Sequence, residues 1–289
     1  MPTLRKTAGE QDAGRLLKNF VRGDMGVSYG QFSSLKMRGA IRVNGEAALA
    51  NRRLCAGDVV TVDMVELAAP RTVKMEFAPV RILYECDDFY IVDKDAPLAC
   101  QCSIRQSEHT LENRLAAYFH DPAFVFRPLN RLDKGTSGLM CAAKHAHSCQ
   151  MLQKMLHTGE FVREYLAVVE GLFEGEATIE LPIAKIDAAS VRRVVDVARG
   201  KPSITHVRAL AHANGRTLVR LRLETGRTHQ IRLHLSHIGH PVTGDFLYGR
   251  EEPRLPGRFA LHSTRLMLTW QGERIDLYSP LPEQLAALL

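Results

Sequence analysis

No stretch of the chain is apolar for long enough to cross a membrane. Met1–Glu10 has no apolar core of the kind a secretory leader needs, so a soluble, cytoplasmic protein is expected. Cysteine is scarce and unpatterned. The six residues Cys55, Cys86, Cys100, Cys102, Cys141 and Cys149 contain no Cys-x-x-Cys, and the step from Cys100 to Cys102 is not a usual zinc or redox spacing. Free thiols are expected, with Cys141 a small core residue inside the apolar run Leu139–Ala143. The chain also lacks a P-loop string, a G-x-G-x-x-G and a G-x-S-x-G, which leaves nucleotide hydrolysis, dinucleotide chemistry and esterase chemistry without support. Its one tryptophan, Trp270, carries no signal beyond packing.

What is present fits a globular chain with one large domain and one small one: 289 residues, 45% apolar and 24% charged. The net charge of +6 is compatible with a polyanionic partner. Residues 1–66 hold ten Lys/Arg against seven Asp/Glu, half of the whole excess in under a quarter of the length. Within them, Leu16, Leu17 and Phe20 recur at helical spacing, and a second helix is expected over Tyr29–Arg38, stopped by Gly39. Ile41–Val43 reads as a strand into the tight turn Asn44-Gly45, and Gly57-Asp58 turns into a strand over Val59–Val62. A small domain is therefore placed at 13–66, a linker at 67–79 and a large domain at 80–289.

Strands are expected in the large domain at Arg81–Glu85, Phe89–Lys94, Leu139–Ala143, Phe161–Val169 and Val219–Leu223, with a closing hairpin from Phe259 through Gln271-Gly272 to Tyr278. A helix is expected over His109–Phe119, and Met151, Leu152, Met155 and Leu156 form a stripe read as core packing. Thr228 is read as the N-cap of a short helix carrying Ile231, Leu235 and Ile238 on one face. Ahead of the Leu139 strand lies Pro128-Leu129-Asn130-Arg131-Leu132-Asp133-Lys134-Gly135-Thr136-Ser137-Gly138. It reads as a loop that holds one carboxylate at the mouth of a strand, between two cations that favour its charged form.

That string resembles the catalytic motif of the RluA family of pseudouridine synthases: His-Arg-Leu-Asp, two variable residues, then Thr-Ser-Gly and an apolar strand. Asn130 stands where the family has histidine. Arg163-Glu164-Tyr165 entering a strand resembles the second motif, and "TGRTHQIRLH" (225–234) the third. Gly200–His206 and Phe259–His262 ("ALHS") resemble further family strings, whereas Lys94-Asp95-Ala96-Pro97 lacks the His-Pro pair expected after it. Residues 13–66 resemble an S4 RNA-binding domain. The resemblance implies an α+β fold, a mixed, mainly antiparallel sheet catalytic domain behind a small S4-like α/β domain.

It also implies isomerisation of uridine to pseudouridine in ribosomal or transfer RNA, by a monomer without cofactor or metal, with no membrane and no obligate protein partner. Asp133 would be the catalytic carboxylate, Arg232 the cation that keeps it charged and oriented, and Tyr165 the ring that stacks on the target base or handles a proton. Arg131 would fill the vacated base stack. Asn130, Arg163, Arg227 and Leu261 would meet the RNA, Leu261 as an apolar wall under the base. Lys36, Arg38 and Arg42 would meet phosphates. Two alternatives stay open: a non-catalytic RNA-binding protein on the same fold, and a metal-dependent hydrolase built on His229, His234, His237 and His240.

Overall fold

The computed structural model describes residues 3–64, 72–104, 106–187 and 190–289. It contains two compact units: the described part of Met1–Pro70 with His145–Met151, and the described part of Arg71–Lys144 with Leu152–Leu289.

The first unit carries β1 (Thr3–Thr7), α1 (Leu17–Gly23), α2 (Tyr29–Met37), β2 (Ile41–Val43), β3 (Glu46–Ala47) and β4 (Val59–Asp63), with sheet order β1-β4-β2-β3. Ser28 starts α2 by accepting from the Gln31 backbone N–H while the Gln31 side chain reaches back to Ser28, a reciprocal cap that satisfies two orphan donors. Asn44 (φ 55°) and Gly45 (φ 87°) make the left-handed pair that a two-residue hairpin between β2 and β3 requires. Leu17, Phe20, Val21, Phe32, Leu35, Ile41, Val43, Val60 and Val62 fill the core. The polar strand β1 lies outside the expected 13–66 range, because its alternation is too weak to announce itself, yet it pairs with β4 over five residues.

The second unit is built on β5 (Arg81–Glu85), β6 (Phe89–Lys94), α3 (Leu111–Tyr118), β7 (Arg127–Pro128), β8 (Ser137–Ala143), the part from Leu152 on of α4 (Ala146–Thr158), β9 (Val162–Glu170), β10 (Glu176–Glu180), β11 (Ile183–Lys185), β12 (Arg193–Val195), β13 (Ile204–Ala213), β14 (Arg216–Leu223), α5 (Gln230–His237), β15 (Leu261–Trp270), β16 (Glu273–Tyr278) and α6 (Glu283–Ala286). Its main sheet runs β10-β13-β14-β9-β15-β8-β6-β5, with β16 on β15 and β7 on β8; β11 and β12 pair separately. The fold is α+β with a mixed, mainly antiparallel sheet. β8 and β15 run parallel, meeting at His262 with Ser137 and Ser263 with Gly138. Gly138 has φ 106°, and a Cβ there would strike the Ser263 backbone, so this approach requires glycine. β6 and β8 are buried along their whole length, which is why both read as continuous rather than alternating runs.

Two sequence expectations, the Met151 stripe and the Thr228 cap, are corrected here. Of the 67–79 linker, residues 67–71 lie outside the described residues. Beyond them the chain is tied down: Val73 donates to Pro122, Glu76 to the Asn113 carbonyl, and the Asn113 side chain to Lys74. In the Met151 stripe only Leu152 is fully buried, and Met151 is exposed, because the helix turns two of its apolar positions only part-way inward. Thr228 does not cap α5. The N-cap is His229, in the left-handed region at φ 58°, and the Gln230 side chain does the local bonding.

Candidate active site

Asp133 sits in the loop between β7 and β8, whose backbone is strapped from behind. Leu98 N–H donates to the Lys134 carbonyl (3.0 Å), and the Cys100 thiol, kept protonated by burial, donates to that of Leu132 (2.9 Å). The segment after Lys94, where the family's His-Pro is missing, thus braces the carboxylate loop.

Arg232 Nη1 donates to Asp133 Oδ2 at 2.9 Å. The same guanidinium forms a fork with Asp245, Nε to Oδ2 at 2.6 Å and Nη2 to Oδ1 at 2.7 Å, and its Cζ lies 4.1 Å from the Phe259 ring centroid. Burial opposes the charge, but the two carboxylates outweigh it and hold the guanidinium's pKa above its ordinary value. Asp245 is wholly buried and also accepts from the backbone N–H groups of Leu247 and Tyr248. Arg232 therefore has no freedom to leave Asp133.

α5 is set in place by Gln230. Its side-chain oxygen accepts from Thr225 and from Arg227 N–H, and its amide nitrogen donates to Ile204 O and Thr205. The left-handed His229 then turns its ring toward Asp133, with Nε2 3.9 Å from Oδ2. Tyr248 Oη accepts from Arg193 N–H (2.8 Å) and lies 2.9 Å from His229 Nδ1. Burial lowers the imidazole's pKa, with the neighbouring Asp133 opposing and Arg232 reinforcing that shift.

Two overlapping concavities, of about 60 and 410 Å³, share Asp133, Tyr165, Leu223, Arg227 and His229 in their walls. Tyr165 (β9) is 5% exposed and its phenol is pushed up by burial; Leu261 lines the smaller concavity with it. Arg163, two residues back on the same face of β9, lines the larger one. It is 6% exposed and its Nε has no hydrogen-bond partner. A buried cation left short of partners in a cavity wall is costly unless a ligand completes it. Arg131 and Arg227 are exposed at the rim, Arg227 donating to Pro202 O.

Asn130 is the residue whose placement departs most from expectation. It is 4% exposed, its amide donating to Leu139 O and accepting from Cys141 N–H, so it pins the loop to β8 while lining the larger concavity. In the first unit, Lys36 and Arg38 are exposed, while Arg42 lies 3.9 Å from Asp63. The four histidines disperse: His234 bonds Thr205 and Leu181 O, His240 bonds Glu170 O, His237 is exposed, and His229 alone faces the cavity. Asp245, Phe259 and Tyr248 were not anticipated. An acid thirteen residues beyond Arg232, in the turn Thr243-Gly244-Asp245, has no spacing that links it to a helix.

A family model described as RNA pseudouridylate synthase matches residues 88–237, a span that contains Asp133, Tyr165 and Arg232. The chain is 35% identical over 277 residues to ribosomal large subunit pseudouridine synthase D of Nitrosomonas europaea, covering 90% of this chain and 80% of that one. It belongs to the RNA pseudouridine synthase family. An uncharacterized RNA pseudouridine synthase of Bacillus subtilis is 31% identical, with 92% of this chain and 96% of the relative covered. The solved human RNA pseudouridylate synthase domain containing 1 superposes with a TM-score of 0.57 at 28% identity, over 71% of this chain and 84% of that chain. The protein is accordingly an RNA pseudouridine synthase, an isomerase that converts uridine to pseudouridine. In this synthase, Asp245 and Leu261 lie beyond the family match, yet they complete the surroundings of Arg232 and Tyr165.

Proposed function

We propose that this synthase acts on uridine in large-subunit ribosomal RNA, as a monomer in the cytoplasm, with Asp133 as its catalytic carboxylate. The observation that carries the residue assignment is the chain Asp133–Arg232–Asp245. One solvent-reaching carboxylate is held by a guanidinium that a second, fully buried carboxylate immobilises. The relatives named for ribosomal large subunit modification motivate the choice of RNA.

In this reading the target uridine flips out of its helix and its base enters the cavity. Tyr165 and Leu261 receive its faces, and stacking returns about 1–3 kcal/mol of the unstacking cost. Arg131, exposed beside the cavity, fills the vacated stack. Asp133 acts at the sugar while the C1′–N1 bond breaks and its electron pair leaves with the uracil as a delocalised anion. With Tyr248 donating to Nδ1, His229 offers Nε2–H to that anion, and Arg163, whose Nε has no partner, offers its guanidinium to an oxygen of the nucleotide. The base turns, C5 bonds to C1′, C5 gives up its proton and N1 ends protonated, with no net redox change. The first unit, S4-like, grips phosphates through Lys36 and Arg38; Arg42 joins them if RNA displaces Asp63.

Pseudouridine mapping of total RNA from cells with and without this gene should show ribosomal sites that depend on it. Asp133→Asn should abolish single-turnover product formation while RNA binding survives, because the amide is isosteric but neither basic nor nucleophilic. A clean Asp133→Asn preparation that keeps a tenth of the wild-type rate would falsify the assignment.

A further inference from the structure

Beyond the catalytic cavity, across the turn Gly226–Thr228 that lines both, lies a second concavity of about 510 Å³. Its charged lining is all cationic: Lys185, Arg193, Arg199, Lys201 and Arg227, with Thr228 beside them. Of these, Arg199 is paired to Asp196 at 2.7 Å, and Arg193 donates to backbone carbonyls of its own loop. Among the described residues, no ion pair or side-chain hydrogen bond engages Lys185 or Lys201, and both are exposed. Like charges gathered in a concave wall repel and focus a positive field, an arrangement suited to a polyanion.

The scaffold is rigid for so small an element. β11 and β12 pair over three residues, and Ile183 and Lys201 exchange two backbone hydrogen bonds at 2.9 Å. Ile183 packs with Leu233 and Tyr248 against α5 and its neighbouring loop. A Cβ at Gly200 would strike the Asp196 and Pro182 backbones, so glycine lets the loop close tightly just before Lys201. Cations on a fixed hairpin lose less entropy on meeting a ligand than cations on a free loop.

We propose that this basin binds the RNA backbone next to the flipped uridine, Lys185 and Lys201 each contacting a phosphate as the strand leaves the catalytic cavity over Gly226–Thr228. The inference rests on the RNA substrate proposed above. It assigns β11 and the Lys201 segment paired to it a role in RNA affinity that none of the catalytic motifs carries.

The test compares wild type, Lys185→Gln/Lys201→Gln and a control, Lys154→Gln, on unmodified large-subunit ribosomal RNA transcribed in vitro. Binding is read across a salt series, and single-turnover product formation at saturating RNA is read in parallel. The double variant should bind more weakly and lower the log–log salt slope by about 1.4–1.8, two phosphate contacts at 0.7–0.9 each. Its saturated rate should stay within twofold of wild type, and its melting temperature should be unchanged because neither side chain has a partner. The control should keep the wild-type slope. A double-variant slope equal to wild type, or a control that loses as much, overturns the basin as a phosphate site. Failure of the wild type to form pseudouridine in any ribosomal RNA would sink the proposed substrate instead. The slope still decides the basin in that case, since it is read on binding alone.

Discussion

The catalytic cavity and the cationic surface of the first unit use arginine and lysine in opposite ways. In the cavity, Arg232 is 2% exposed and spends its donors on two carboxylates while its plane lies against Phe259. In the first unit, Arg15 is bonded to Asp12 and Asp24, Arg53 to Gly14 O, and Lys36 and Arg38 stand in solvent. A buried, multiply bonded cation fixes a geometry, and losing it strands the charges around it. An exposed one contributes a field that salt screens within about 10 Å at 0.1 M. Substitutions in the first region should therefore act on rate and stability, and substitutions in the second on affinity and its salt dependence.

The sharpest way to break this contrast is Arg232→Met. Single-turnover rate should fall by about 10²-fold or more as Asp133 loses its orienting donor, with a much smaller change in RNA affinity. A near-normal rate would reduce Arg232 to a packing residue of α5. Asp245→Asn comes next. Removing one member of a buried pair typically costs about 3–5 kcal/mol, so chemical denaturation should show a clear loss of stability, and the rate should fall less than for Arg232→Met because the amide oxygen still accepts one bond. Unchanged stability would mean that the Arg232–Asp245 fork is not what anchors the site.

Acid should weaken the same unit. Burial lowers the pKa of His229, His234 and His262 below the ordinary 6.5. As pH falls below that value the unfolded chain binds protons that these folded imidazoles refuse. Stability should therefore be full above pH 6.5 and decline toward the folded-state values, by at most about 1.4 kcal/mol per pH unit for each histidine. Urea melts between pH 7 and 5 measure this, and His234→Gln should flatten the decline. The smallest effect is expected in the first unit: Lys36→Gln/Arg38→Gln should lower the RNA salt slope by about 1.4–1.8 and leave the saturated rate alone. A rate loss there, with the fold intact, would abolish the distinction between the two regions.

Much of this synthase is legible along the chain. β6, β8, β9, β14 and the β15–β16 hairpin stand where period, apolar runs and the Gln271-Gly272 turn put them, because those signals report a strand's own faces and ends. Other expectations fail where a local preference meets a tertiary demand. Thr228 has the chemistry of a cap, but placing His229 against Asp133 requires the left-handed backbone that His229 itself adopts. Asn130 reads only as a replacement for the family's histidine in a loop, and its bonds to two buried backbone groups of β8 carry no mark in the sequence.

By itself, then, the sequence determined the order of the elements and the three motif strings that hold Asp133, Tyr165 and Arg232. Only the tertiary structure decided that Asp245 immobilises Arg232, that Arg163 is buried with an unpartnered Nε, and that Lys185 and Lys201 share a basin beside the cavity. Periodicity constrains neighbours within a few residues, whereas Asp133 meets Arg232 across 99 residues of chain, and β8, which follows Asp133, pairs in parallel with β15 across 125, from Ser137 to His262. The geometry of that pairing resides in Gly138, where a single missing Cβ lets the two backbones approach.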